Sequence, residues 1–488
     1  MTNAVGLRDT GVLIGEHWLR DTSGGVHDHV SATTGLAQAK VAYAGLAETD
    51  AAVAAAVAAG PGWRATSVAD RRRLLGRIEQ SLLDHAAELE VIQTLESGVP
   101  RMYTGGSAEL AANWFGYYAG WADKIRGEVL SPFPASGLDY TLLEPYGVVG
   151  LILPWNAPLT ILAFKVAAAL AAGNCLVLKP SELAPFSIAR FAELALDAGL
   201  PLGVLNVVPG GPVAGARLVE HTDVAKVSFT GGIATGRKVA ALAAEHVKPV
   251  ALELGGKSAN LLFADADLDA AVGFAAVGGA IAMSGQGCAC PTRLLVERPI
   301  YDDVLDRLVR IMTTAPVGDP LDEATAVGPV VTEAACQRIL GIIDEARRQG
   351  SGELLTGGGR VGGDLADGWF VEPTVFAGVD HRSRIAQEEI FGPVLSVLPF
   401  DSEDEAVRVA NGTDYGLAAY VNTADLSRAH RLAARLCAGK VHVNGFDQAP
   451  PAAPLGGMKT SGYGREGGEA GLLEYLQVKN VFISIPGL

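Results

Sequence analysis

Three side chains in this sequence are of the right type, in the right local setting, to handle a carbonyl carbon. Cys288 lies in SGQGCACPTR (284–293), where Gly285, Gly287 and Ala289 leave room for a substrate to reach the sulfur. A thiolate there is a strong nucleophile toward a carbonyl. A buried structural cysteine is the other reading of the same residue, and Cys288 with Cys290 can also be read as half of a metal site lacking its second half. Glu253 closes the apolar strand of LELGGKSAN (252–260). A carboxylate in that position is costly unless it is solvated, paired or used, and burial would raise its pKa toward the range of a general base. It would equally serve as a strand-end cap. Asn156, in LPWNAP (153–158), offers a side-chain N–H to a developing oxyanion, or a cap to the following helix.

A second group suits a nucleotide. Lys179 and Glu182 of LKPSE (178–182) stand at a strand end, where a lysine can hold a ribose or phosphate and a glutamate can accept from two ribose hydroxyls. Lys179 alone is also readable as a surface lysine. FTGGIATG (229–236) reads as a strand, a glycine turn and a helix start, which faces backbone N–H groups toward a phosphate. It is not GxGxxG, and a glycine turn by itself is a weak signal.

The elements that must carry these residues follow from periodicity. VVGLIL (148–153), CLVLK (175–179), VLNVV (204–208), AKVSF (225–229) and PVALEL (249–254) read as apolar strands. Helices are expected over 159–173, 183–198, 212–220 and 234–245. This alternation predicts a parallel sheet covered on both faces, with ligands bound beyond the carboxyl ends of its strands. LPWNAP, LKPSE, FTGG and LELGG all fall at such ends. A second α/β unit is expected after Glu253, from ANLLF (259–263), a helix from about 267, LLVE (294–297), SVLPF (396–400), a helix near 403–410 and VHVNGF (441–446). Residues 50–60 and 69–95 read as surface-packed helices. The alternating tail LLEYLQVKNVFISI reads as a strand that must pair with a neighbouring sheet or a partner subunit.

Bulk properties narrow the classes. A chain of 488 residues suggests two or three domains and a core large enough to need no staple. A net charge of -16 with no basic run speaks against nucleic acid as a partner. Five cysteines, an odd and sparse set, speak against a disulfide framework and for a reducing compartment. The amino terminus shows no basic region leading into an apolar run, so a cytoplasmic location is expected. The apolar stretch from Gly147 to Gly173 is broken by Pro154, Asn156, Pro158 and Lys165, so it reads as strand, turn and buried helix and no membrane is expected.

Taken together, PWNAP, LKPSE, FTGG, LELGGKSAN, GQGCACPTR, EEIFGPV (388–394) and PLGGMKTSGYGRE (454–466) resemble the aldehyde dehydrogenase superfamily in order and approximate spacing, over nearly the whole chain. The resemblance implies that Cys288 attacks the aldehyde to give a thiohemiacetal. Its oxyanion would be held by the Asn156 side chain and the Cys288 backbone N–H. Hydride transfer to nicotinamide would leave a thioester, hydrolysed by water that Glu253 activates, with Lys165 in proton relay. Lys179 and Glu182 would hold the adenosine ribose. Glu389 would orient the nicotinamide ribose, with Phe391 beside it, Trp155 offering its backbone, and Gly231 and Gly232 at the phosphates. Gly232 departs from the family pattern, since many relatives carry Ser there, and weaker pinning of the phosphates is expected. Glu182 would repel a 2′-phosphate, so NAD is expected over NADP. No metal is expected.

The family's substrate tunnel maps onto Ala157, Ile161, Phe164, Ala282, Gly287, Ala449 and Leu455, most of them small and apolar. With neither charge nor aromatic cage, a carboxylate-bearing or quaternary-ammonium aldehyde looks poorly served, and a bulky hydrophobic one is expected unless loops elsewhere fill the space. The implied fold is α/β: a Rossmann-like cofactor domain (1–120 and 142–255), a second α/β catalytic domain (256–450) and a small β oligomerisation flap (121–141 and 470–488), forming a homodimer or homotetramer. Two rivals remain. One is a coenzyme A-acylating relative, disfavoured because such relatives generally lack the glutamate that Glu253 matches. The other is a non-catalytic structural protein on the same fold, disfavoured by the joint presence of Cys288, Glu253 and Asn156.

Overall fold

A computed structural model describes residues 6–132, 136–447 and 449–485. Its largest sheet has eight strands in the order Gly462–Tyr463, Val250–Glu253, Val224–Thr230, Val148–Ile152, Cys175–Lys179, Leu205–Val207, Val12–Ile14 and His17–Leu19. The five central strands run parallel, and antiparallel strands close both ends. Val148–Ile152 and Cys175–Lys179 are buried at every position, as strands covered on both faces must be. Helix Pro158–Ala172 follows with Pro at its first turn and Gly173 at φ +95 behind it, a start and stop that suit those two residues. Apolar on nearly every side, it sits in the core rather than on the surface. The chain therefore leaves Val148–Ile152 in one direction, toward Cys175–Lys179, and returns on its other side as Val224–Thr230. That reversal opens a crevice beyond the carboxyl ends of these two strands.

The second sheet has seven strands in the order Glu353–Thr356, Thr374–Ala377, Val394–Phe400, Arg293–Glu297, Ala259–Leu262, Ala418–Asn422 and Lys440–Val443, all parallel except the first. Successive residues face opposite ways: Leu261, Leu295 and Leu398 join one core, Leu262, Leu294 and Val397 the other. The 18 residues Leu268–Gly285 are apolar and long enough to cross a membrane by composition alone. Here they form helix Leu268–Ala276, a π turn over Val277–Ile281 and a kinked 3-10 turn, Ala282–Gly285, against the second core.

The terminal strand Leu476–Ser484 does pair, antiparallel, with Gly137–Pro145 over nine residues. Val129–Leu130 completes a small sheet that carries exposed Leu138, Leu142, Val478, Phe482 and Ile483. Gly137–Pro145 runs past the expected flap boundary at 141, and the flap positions 133–135 and 486–488 fall outside the described residues. The helical stretch expected over 69–95 is two helices, Val68–Asp84 and Ala86–Ser97, separated at His85. The helix expected from 183 begins at Phe186, because Pro185 disfavours helical backbone in the residue before it. All five cysteines are free.

Candidate active site

The crevice beyond Val148–Ile152 and Val224–Thr230 widens into a cavity of about 640 Å³. Cys288, Glu253 and Asn156 all line it, from the second sheet's approach, the strand Val250–Glu253 and the turn after Val148–Ile152 respectively.

The loop that presents Cys288 is held in an unusual backbone. Met283, Ser284 and Gly285 have φ of +53, +54 and +69 in succession, and non-glycine residues in that region persist only where the surroundings impose it. At Gly285 a β-carbon would lie 2.1 Å from the Gly392 carbonyl oxygen. The Ser284 hydroxyl donates to the Gly328 carbonyl at 2.8 Å, and the Gln286 side chain accepts from Val331 N–H at 2.9 Å. Cys288 keeps part of its surface open to the cavity, but the protein packed around the sulfur pushes the thiol up to about 12, and Glu389, Cys290 and Glu253 push the same way. The neighbouring Ala289 N–H opposes them. Asn156 donates one amide N–H to the Gln286 carbonyl at 2.9 Å, which leaves its second N–H for another acceptor.

Glu253 is 8% exposed, and its Oε1 is buried without a partner. Burial raises its pKa well above the carboxylate range, the Glu466 charge adds to the rise, and Lys165 opposes it. Lys165, fully buried on helix Pro158–Ala172, donates to Ser228 Oγ at 2.7 Å and to Glu466 Oε1 at 2.6 Å. Glu466 was not singled out by the sequence reading, although it ends the PLGGMKTSGYGRE motif. Its separation of 301 positions from Lys165 hides the pairing from any local pattern.

The opposite end of the cavity suits a dinucleotide. Lys179 Nζ stands 3.4 Å from Glu182 Oε2, both at the strand end where LKPSE put them. Gly232 caps helix Ile233–Glu245 with no side-chain bond, so the first N–H groups of that helix face the cavity uncapped. Glu389 accepts from Gly256 N–H at 3.2 Å, and burial pushes its carboxyl up to about 7. A β-carbon at Gly255 would fall 1.9 Å from Glu389 Oε2, so any larger residue there would push the Glu389 carboxylate from its place. Phe391, at φ +52, meets Trp155 edge-on at 5.5 Å. Gly231 lines the same wall, as does Arg338, which the sequence reading passed over because it lies on the second unit's helix Glu333–Gln349.

The seven tunnel positions are less uniform. Ile161 lines the cavity. Ala157, Ala282 and Gly287 are half-buried around the Asn156 and Cys288 turns, and the Cys290 sulfur fills the space where a Gly287 side chain would go. Phe164 is buried against Trp114 at 4.1 Å, and Trp114 donates to the Ala449 carbonyl at 3.1 Å. Ala449 and Leu455 pack half-buried on that side. Trp114, on helix Ser107–Ala119, was absent from the sequence reading.

Known proteins are similar to this chain over nearly its full length. The profile of the aldehyde dehydrogenase family matches residues 18–481. A betaine aldehyde dehydrogenase of Cereibacter sphaeroides is 41% identical over 475 residues, covering 96% of this chain and 95% of that one. The crystal structure of PnpE from Pseudomonas sp. WBC-3 superposes with a TM-score of 0.94 at 40% identity, covering 98% of both chains. An aldehyde dehydrogenase from Bacillus cereus, solved as an NAD+ complex, gives 0.94 at 38% identity over 98% of this chain and 97% of that one. With its motifs converging on one cavity and its whole length aligned to such relatives, the chain belongs to the aldehyde dehydrogenase family.

Proposed function

We propose that the protein oxidises a bulky, apolar aldehyde to the free carboxylic acid with NAD, using Cys288 as nucleophile and Glu253 as the base that activates water. One observation carries this reading: a cysteine, an asparagine amide and a glutamate with an unpartnered buried oxygen share one cavity. The NAD+ complex of the Bacillus cereus relative supports the cofactor. The residues fit it: an uncapped helix N-terminus for phosphate, the Lys179–Glu182 pair for one ribose and Glu389 for the other. Bound there, NAD supplies the hydride acceptor.

The protein's own work has four parts. The Cys288 sulfur adds to the aldehyde carbon. The second Asn156 N–H and the Cys288 backbone N–H hold the resulting oxyanion. After oxidation, Glu253 takes a proton from water, and the hydroxide cleaves the thioester, returning the thiolate. Lys165 and Glu466, buried beside the base, set its charge environment and give its proton a route. Glu253 also separates this reading from acyl transfer to coenzyme A, because a hydrolytic base is present where an acylating enzyme has no use for one.

Ile161 and the small residues at 157, 282 and 449 support the apolar substrate class. The name of the Cereibacter sphaeroides relative favours betaine aldehyde as a second reading. Against it, the aromatics beside Ala449, Trp114 and Phe164, are buried against each other at 4.1 Å and do not line the cavity, so among the described residues they present no open ring face to a trimethylammonium group. The exposed apolar side chains on the sheet of Gly137–Pro145 and Leu476–Ser484 support assembly through a second copy, as a homodimer or homotetramer. The two large sheets support a cofactor domain and a catalytic domain divided near residue 255.

NADH production should be followed with long-chain, aromatic, betaine, succinic semialdehyde and acetaldehyde substrates, with acid and thioester products separated in the presence of coenzyme A. Preference for apolar aldehydes and a free-acid product are expected. Preference for betaine aldehyde, or activity surviving Cys288→Ala, would refute the reading.

A further inference from the structure

The backbone that follows the nucleophile is gripped from the second sheet by one side chain. Tyr420 lies in strand Ala418–Asn422, paired with Asn260 of strand Ala259–Leu262, and is 2% exposed. Its hydroxyl donates to the Ala289 carbonyl at 2.9 Å. Apart from the segment's own thiols, this is the only side-chain hydrogen bond to the backbone of residues 287–292 among the described residues. The ring cannot drift. His442 stacks on it at 4.8 Å with an interplanar angle of 7°, and Phe274 packs at 5.4 Å. A hydroxyl on a ring held by two aromatic neighbours fixes the position of the atom it bonds.

We propose that Tyr420 is a positioning residue for the nucleophile: by holding the Ala289 carbonyl it fixes the turn that aims the Cys288 sulfur into the cavity. The inference rests on Cys288 being the nucleophile.

The chain of contacts is short. The Ala289 N–H, next in the chain to Cys288, favours its thiolate. Ala289 also carries the carbonyl that Tyr420 holds, so rotation of that one residue would move both the sulfur's supporting donor and the loop. Upstream, the loop is anchored at Ser284 and Gln286. Downstream, the Thr292 carbonyl accepts from Ser396 N–H and Arg293 N–H bonds the Ser258 carbonyl. Tyr420 is the tether between those anchors. Burial, with the nearby Cys290 and Cys288, drives the phenol well above its ordinary range, so it remains a donor at every working pH. The groups facing the thiol itself are Glu389, Cys290 and Glu253, and none of them is altered by removing the phenol oxygen.

Tyr420→Phe keeps the ring and its stack and deletes only the donor. In the full-length protein, kcat should fall about tenfold, the effect of one lost hydrogen bond felt in the transition state, with KM for NAD unchanged. The pH midpoint of Cys288 alkylation by iodoacetamide should move upward, because the thiolate loses its aligned donor. His442→Leu retains the hydroxyl but loosens the ring, and should move both readouts the same way by a smaller factor. Tyr301→Phe, a half-buried tyrosine whose hydroxyl bonds Gly378 N–H far along the second sheet, should leave both unchanged. Wild-type kcat and alkylation midpoint in Tyr420→Phe, or a lowered thermal midpoint alone, would overturn the proposal. Turnover surviving in Cys288→Ala would instead overturn the nucleophile assignment beneath it.

Discussion

Lys165 Nζ and Glu466 Oε1 lie 2.6 Å apart with side chains 0% and 4% exposed, joining a helix of the first core to a loop 301 residues later. Breaking such a pair by removing one partner leaves a buried charge uncompensated, at a cost of about 3–5 kcal/mol. The pair also acts on Glu253, which the Glu466 charge raises and Lys165 lowers. Glu466→Gln removes the raising charge and leaves the lowering one, so the Glu253 pKa falls. A base with a lower pKa remains ionised to lower pH. The acidic limb of the kcat–pH profile should therefore move to lower pH, while denaturant unfolding shows the stability loss. An unmoved limb would detach Glu466 from the base.

Glu253→Gln should separate the two halves of the reaction. Acylation of Cys288 does not need a hydrolytic base, so a stoichiometric burst of NADH should persist, followed by steady-state turnover reduced by about 10²–10⁴. Asn156→Ala should instead slow the burst itself, by about 10²–10³. A variant of Glu253 with no burst would mean that the carboxylate is needed before the thioester forms.

What the sequence revealed follows the range of the interactions involved. Strands such as Val148–Ile152 and Cys175–Lys179 were legible because burial on both faces makes them continuous apolar runs between glycine and proline. Cys288, Glu253, Asn156 and Lys179 were legible because each sits in a short segment whose neighbours are constrained with it. Glu466, Arg338, Trp114 and Tyr420 were not, since each reaches the site from an element distant in the chain and is unremarkable among its own neighbours. The strand Gly462–Tyr463, which adds to the first sheet beside Glu253, was equally hidden: two residues carry no periodicity.

Glu389 gives a pH signature of its own. Burial holds its carboxyl at about 7, against Gly256 N–H, Lys257 and Arg338, which favour the ionised form. The carboxylate accepts from two ribose hydroxyls more strongly than the protonated acid, which carries a donor O–H on one oxygen. KM for NAD should therefore rise as pH falls through about 7, and Glu389→Gln should flatten that dependence. Gly255→Ala, whose β-carbon would collide with Glu389 Oε2, should raise KM at every pH. A pH-independent KM in the wild type would remove Glu389 from ribose binding.

Glu182 is the residue proposed to set cofactor choice. Its carboxylate is 43% exposed at the cavity edge and lies 3.4 Å from Lys179 Nζ, so the lysine is partly neutralised by it. A 2′-phosphate brings close to two negative charges into the place where a ribose hydroxyl would donate to Glu182. The repulsion is screened by solvent on the exposed side but not by Lys179, which Glu182 already engages. NAD should be preferred in kcat/KM. Glu182→Ser removes the repulsion and frees Lys179 for the phosphate, so kcat/KM for NADP should rise by about tenfold or more, the equivalent of one charge contact, while that for NAD falls. A wild-type preference for NADP, or a Glu182→Ser variant with unchanged selectivity, would place the discriminating charge elsewhere, with Lys238 on the same cavity wall the next residue to test.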